Sequence, residues 1–357
     1  MVRFSPLKKR PIAAIGHKPV TGKKMEAPMT QKLTRITICT LTCMLLILSL
    51  STALYAEQFP HYTAFGDSLT DHNGLNQYVP EAPEAFTNCQ ATPCVWVEYM
   101  LAELEIGLEN LDNNAIGGAM TQGHENADIQ AAIDAGALPP LGLVGQVDTY
   151  LSQSPDFSPE DTLFTIWIGG NDLLEFFRGE SSAAAPEALV QGAMANIQAA
   201  VTDLIDAGAL NFLVLNLPDL SKTPAFNQQP EDTRAQVSEL TQGFNQALFV
   251  TLEGIEFRNS GVSIITLDAF SLMNRLINQG IFENTSGTYL ELDANGDPTG
   301  NVNGDAEDFL FYDPIHPTTR AHAIIGGEAA AAVTASEGPR DFDDDDTCFI
   351  QTVAAAH

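Results

Sequence analysis

Two stretches of this chain hold residue types that could do chemistry together. The first is Tyr62-Thr63-Ala64-Phe65, which leads directly into Gly66-Asp67-Ser68. An apolar run that stops at Gly-Asp-Ser reads as a buried strand ending in a tight turn, with the serine at its carboxyl edge. The second is Asp313-Pro314-Ile315-His316-Pro317. An Asp three residues before a His, between prolines that stiffen the backbone, makes a compact turn able to hold a carboxylate against an imidazole. A serine hydroxyl is barely ionised at neutral pH, so Ser68 needs a base before it can act as a nucleophile. His316 supplies that base, and Asp313 the carboxylate that orients it.

Such groups must be carried to one place by the elements around them. In open parallel α/β sheets that place is the carboxyl edge of the strands. A second strand is expected from Leu111 to Gly118, ending in paired glycines. Thr162 to Ile168 is a continuous apolar run, the pattern of a strand covered on both faces, and it stops at Gly169-Gly170-Asn171-Asp172. Phe212–Leu215 and Val262–Leu267 read as the fourth and fifth strands. Between them lie helical stripes: Leu189, Ala193, Ile197, Val201 and Leu204, then Val237, Leu240, Phe244, Leu248 and Leu252. Val144, Val147 and Leu151 mark a shorter helix, and Cys94–Leu104 another, in which Trp96 and Tyr99 are expected to pack in the core. Strands alternating with helices imply a parallel sheet with right-handed crossovers.

The connections carry secondary candidates. Asp71 is expected to cap the segment after it and Asp172 to sit at a helix N-terminus, while His72 and His124 read as surface loop residues. The polar stretch from Met120 to Pro140 reads as loop and short helix near the site. Leu290–Asp308 is a Gly/Asn/Asp-rich insertion, expected to be a solvated loop. Its Asp293-Ala294-Asn295-Gly296-Asp297 opens like a calcium loop, but Pro298 and Gly304 stand where that loop needs glycine and glutamate.

Four blocks stand in order along the chain: Phe65-Gly66-Asp67-Ser68-Leu69-Thr70-Asp71, Asn113-Asn114-Ala115-Ile116-Gly117-Gly118, Gly169-Gly170-Asn171-Asp172 and Asp313-Pro314-Ile315-His316-Pro317. Together they resemble the SGNH/GDSL hydrolase family of serine esterases and lipases. The resemblance implies an α/β fold, a flavodoxin-like three-layer α/β/α arrangement with a five-stranded parallel sheet. It implies a triad of Ser68, Asp313 and His316. It also implies an oxyanion hole built from the backbone N–H groups of Ser68 and Gly118 and the side-chain amide of Asn171, with Gly117 as a substitute if the turn differs. No cofactor and no metal are implied. The first block and Trp96-Val97-Glu98-Tyr99 look most like the branch containing bacterial phospholipases, haemolysins and plant lipases. The expected activity is therefore carboxylic-ester hydrolysis of lipase, phospholipase A or lysophospholipase type, through an acyl-enzyme. The same constellation supports a carbohydrate O-acetylesterase, and a catalytically inactive surface-binding protein could keep the fold.

Charge and targeting bound the setting. Lys32 and Arg35 precede an apolar run from Ile36 to Ala56, the pattern of a secretory signal peptide cleaved after Ala53 or Ala56; the rival reading is an uncleaved anchor over 36–56. Residues 1–56 are thus an N-terminal extension and signal peptide, 57–335 the hydrolase domain, and 336–357 an acidic tail. The first segment holds nine of the chain's 16 Lys and Arg and one of its 46 Asp and Glu. The remainder carries 7 basic against 45 acidic residues, a formal charge of −38. No basic patch exists to neutralise phosphates, which excludes nucleic acid as a partner. The expected partners are a lipid or other ester substrate and, transiently, a membrane surface, with the protein a secreted or periplasmic monomer. Cys89 and Cys94 are spaced for a small loop disulfide of the kind exported proteins keep, although Cys348 could pair with either.

Overall fold

The run that precedes Ser68 forms β1 (His61–Gly66), an inner strand with every residue after His61 buried. The computed structural model describes residues 59–79, 85–89, 91–123, 127–294 and 296–336. The expected leader, His124, Cys348 and the tail after Ser336 lie outside them. β1 pairs in parallel with β2 (Leu111–Asn113) on one side and with β3 (Thr162–Trp167) on the other. β4 (Asn211–Leu215) and β5 (Ser263–Leu267) extend the sheet, giving the order β2-β1-β3-β4-β5, parallel throughout. The expected five-stranded flavodoxin-like order is therefore what forms.

The helices that follow the strands are α1 (Trp96–Glu103), α2 (Ala127–Asp134), α3 (Leu143–Ser152), α4 (Gly170–Arg178) and α5 (Pro186–Asp206). After β4 come the short α6 (Pro224–Asn227) and the long α7 (Glu231–Arg258). α8 (Ala269–Asn278) and α9 (Thr319–Ala335) complete the set. Because strand side chains alternate, the sheet has two cores. Phe65, Phe164, Ile166, Phe212 and Val214 point to one, where α3, α5 and α7 cover them. Tyr62, Ala64, Leu163, Trp167 and Leu213 point to the other, under α1, α8 and α9. Both expected stripes, on α5 and on α7, are buried at every named position. Truncating a buried side chain such as Phe164 to alanine would cost about 3–5 kcal/mol, a large share of a domain's stability. Among the described residues, no helix is long and apolar enough to cross a membrane.

Two expectations need correction. The second strand stops at Asn113, five residues before Gly118. There the Asn113 side chain takes over from the ladder: its Oδ1 accepts from the Ala115 N–H and its Nδ2 donates to the Thr70 carbonyl. The insertion from Leu290 to Asp308 is not a plain loop. β6 (Asn284–Thr288) pairs with β9 (Phe309–Phe311), and β7 (Leu290–Leu292) forms a hairpin with β8 (Pro298–Val302). At the tip of that hairpin the Asp297 N–H donates to Asp293 Oδ1.

Cys89 and Cys94 form a disulfide with their Cα atoms 5.3 Å apart. It closes a loop directly onto the N-terminus of α1. That terminus is satisfied from two sides: Glu98 Oε2 accepts from the Cys94 N–H at 2.6 Å, and His322 Nδ1 accepts from the Trp96 N–H at 3.2 Å. Trp96 is fully buried, as expected, and its ring meets Trp167 edge-on at 5.9 Å, whereas Tyr99 is only half-buried and lies outside both cores.

Candidate active site

At the end of β1 the chain turns at once, with the Asp67 carbonyl accepting the N–H groups of Thr70 and Asp71. The Gln146 side chain brackets the strand's last residue, accepting from the Gly66 N–H at 3.0 Å and donating to its carbonyl at 2.8 Å. This fixes the turn that presents Ser68. The Ser68 hydroxyl donates to His316 Nε2 at 2.7 Å. On the other side of the ring, His316 Nδ1–H donates to Asp313 Oδ2 at 2.6 Å. The remaining carboxylate oxygen, Oδ1, accepts from the His316 and Ile315 N–H groups at 2.8 and 2.9 Å. One aspartate thus shapes the turn and orients the ring. The turn is pinned at both ends, because the Tyr312 N–H donates to the His316 carbonyl and the Ala225 N–H to the Pro314 carbonyl.

The other two blocks are tied to the serine turn and to each other. Asp71 Oδ2 accepts from the Gly117 N–H at 2.6 Å. The same carboxylate accepts from the N–H groups of Gly74 and Leu75, so it does cap the following turn, and it also anchors the block around Gly117. The Gly117 N–H is thus committed to Asp71, and Gly118 follows it in the same turn. Gly118 has φ +81°, a left-handed turn conformation that a side chain would strain. Asn171 lies at the start of α4, where its Nδ2 donates to the Ala119 carbonyl at 2.8 Å. Its neighbour Asp172 accepts from both the N–H and the hydroxyl of Thr121. Ser68, Asn171 and His316 line one cleft; Asp313 stands behind His316, and Gly118 is half-buried in the adjoining turn.

The sequence pattern of GDSL-like lipases/acylhydrolases matches residues 62–328, most of the chain and all four blocks. The protein belongs to that family. Its similarity to named relatives is moderate. It is 28% identical over 298 residues to the thermolabile hemolysin of Vibrio parahaemolyticus, covering 76% of this chain and 63% of that protein. It is 25% identical over 242 residues to an acetylesterase of Thermothelomyces thermophilus, covering 66% of this chain and 74% of the other. The chain thus spans just under two thirds of the haemolysin's length. Among solved structures, a GDSL-like lipase from Parabacteroides merdae superposes with a TM-score of 0.44 at 13% identity, over 77% of this chain and 96% of that one.

Membership of a family of ester-bond hydrolases gives the electrostatics around Ser68 a context. Burial pushes the Asp67 carboxyl up to about 7, against the pull of the Leu69 N–H and of His316. Burial likewise pushes Asp172 up to about 6 despite its bonds to Thr121, and raises Asp71 despite three backbone donors. Burial acts on Asp313 in the same sense, but the His316 hydrogen bond, the imidazolium charge and two backbone N–H groups together outweigh it. That carboxyl is held below its ordinary value. Of four acids grouped here, the one that must stay ionised to balance an imidazolium is the one depressed.

The raised acids make stability depend on pH. A native carboxyl at about 7, against 3.8 for the free group, keeps a proton that the unfolded chain gives up. The stabilisation is full below about pH 4 and is lost as pH rises through 7. Asp172 contributes in the same direction up to about pH 6. Asp67→Asn retains the acceptor for the Leu69 N–H and cannot ionise. Its melting temperature should therefore fall less than the wild type's between these limits, and equal falls would contradict the assignment.

His72 is a correction. It is not a surface loop residue: its ring is largely covered, and its Nδ1 lies 2.5 Å from Glu98 Oε1. Gln146 was not singled out from the sequence, because a glutamine in a short amphipathic helix carries no mark of a contact 80 residues away. Asp67 was legible only as part of its motif.

Proposed function

We propose that this protein is an exported serine hydrolase that cleaves the carboxylic esters of lipids through an acyl-enzyme on Ser68. Ser68 Oγ attacks the ester carbonyl while His316 Nε2 takes its proton, and Asp313 steadies the imidazolium. The oxyanion is met by the backbone N–H groups of Ser68 and Gly118 and by the Asn171 amide, whose other N–H is held by Ala119. His316 then gives the proton to the leaving alcohol. A water activated by the same imidazole releases the acid.

The observation that favours lipid is the cleft itself. Beside Ser68 it is walled by Leu69, Leu174, Leu217, Leu220, Met273 and Ile315. Such walls gain from burying an acyl chain, at about 0.8 kcal/mol per CH₂, and offer a sugar few hydrogen-bond partners. The acetylesterase among its relatives keeps a carbohydrate O-acetylesterase as the second reading. The paired Ser68 and His316 weigh against an inactive binding protein. A disulfide at Cys89–Cys94 fits export.

Fatty-acid release from phosphatidylcholine vesicles, set against acetate release from acetylated xylan, tests the choice. Faster turnover of the phospholipid is expected; activity confined to the xylan would overturn the lipid reading. Asn171→Ala should fold normally and lower kcat by about 10²–10³ with little change in KM, the loss usual for one oxyanion donor. A variant altered solely in KM would place Asn171 in substrate binding instead.

A further inference from the structure

Within the connection between His72 and Cys94, residues 85–89 lie against the site. Ala85 forms a β-bridge with His72, and the next residue, Phe86, lays its ring against His316. The ring centroids are 5.2 Å apart and the planes are inclined by 32°. Phe86 also reaches the opposite wall: a side chain at Gly117 would place its Cβ 2.4 Å from Phe86 Cε2 and 2.5 Å from Cζ. Phe86 therefore fills the slot between the turn that carries the oxyanion glycine and one face of the imidazole. The glycine at position 117 is what makes room for it.

Phe86 is held there from several sides. Asn88 Oδ1 accepts from the Thr319 N–H at 2.8 Å, and the hydroxyls of Thr87 and Thr319 share a 3.0 Å hydrogen bond. Thr319 opens α9, three residues after His316, so the strap and the base are fastened to the same point. Downstream, the Cys89–Cys94 disulfide ties the strap to the start of α1. Upstream, His72 is seated on Glu98 of that same helix. A loop anchored this heavily, with one aromatic ring on the imidazole, is more than a connector.

We propose that Phe86 is a positioning residue for His316. The imidazole has partners at both nitrogens in its own plane, but hydrogen bonds in that plane do little to resist tilting out of it. An apolar wall on its face resists such tilting and keeps water from competing for Nε2. Small losses of alignment at a proton-transferring group are costly, since displacements near 1 Å can cost about 10²-fold. This inference rests on the assignment of His316 as the base.

The test is a truncation series, Phe86→Leu, Phe86→Val and Phe86→Ala, on the full chain. Each variant is assayed with p-nitrophenyl acetate and octanoate and for its rate of reaction with diisopropyl fluorophosphate. Phe86→Ala should lower kcat by about 10-fold, a tenth of that ceiling, with KM within about twofold. The loss should be the same for both esters and mirrored in the fluorophosphate rate, and Phe86→Leu should recover most of it. If Phe86→Ala melts early, the comparison of Leu with Val still grades the effect. Unchanged kcat across the series, or a KM defect that grows with acyl length, would overturn the proposal; the second outcome would make Phe86 a substrate contact. Failure of the underlying reading looks different: the wild type itself would then not react with the fluorophosphate at Ser68.

Discussion

Ser68→Ala is expected to lower kcat for ester hydrolysis by about 10⁶-fold, leaving the residual rate that binding and oxyanion donors alone provide. Ser68 is buried, and its hydroxyl makes one described contact, the 2.7 Å bond to His316. Removing a single oxygen there leaves both cores and every strand pairing untouched, so the variant should fold with an unchanged circular-dichroism spectrum. His316→Ala should cost a similar factor, and the double variant little more, because the two act as one unit. Activity in Ser68→Ala above about one per cent of wild type would remove serine from the chemistry, since the expected residue of about 10⁻⁶ lies far below it.

Asp313→Asn is expected to lower kcat by about 10⁴-fold while the turn survives. Asparagine keeps an Oδ1 acceptor for the N–H groups of Ile315 and His316, which shape the turn. Facing His316 Nδ1, however, an amide would present N–H where Oδ2 now accepts at 2.6 Å. The ring must then carry its proton on Nε2, where it cannot take one from Ser68. The half-buried carboxylate that would balance the imidazolium is lost as well. A fall of less than about tenfold would show that Asp313 shapes the turn and no more, since the tautomer effect alone is worth about 10⁴.

What could be read in advance follows the range of the forces involved. β1, β3 and β4 are continuous apolar runs, and α5 and α7 carry stripes at helical spacing; such patterns are local. The hydrogen-bonded set of Ser68, His316 and Asp313 was legible for the same reason: Asp313 and His316 are three residues apart, and Ser68 stands at a strand end. β2 was overextended because Ala115-Ile116 continues its apolar character, while the Asn113 side chain that ends it works through a hydrogen bond to Thr70. The hairpin of β7 and β8 was missed because β7 is only three residues long and β8, Pro-Thr-Gly-Asn-Val, is mostly polar and fully exposed. Side chains such as Glu291, bonded to Thr299 and Asn301, support it in place of an apolar face. Phe86, Gln146 and His72 act across 26 to 230 residues of chain, and nothing in their own neighbourhood signals the partner.

The measurement that bears most directly on the central claim is mass spectrometry of the protein after reaction with a fluorophosphonate. The expected result is one adduct per chain, on the peptide containing Ser68, formed in step with the loss of esterase activity and absent from Ser68→Ala and His316→Ala. A protein that hydrolyses esters yet stays unlabelled, or that is inactivated by an adduct at another residue, would contradict it.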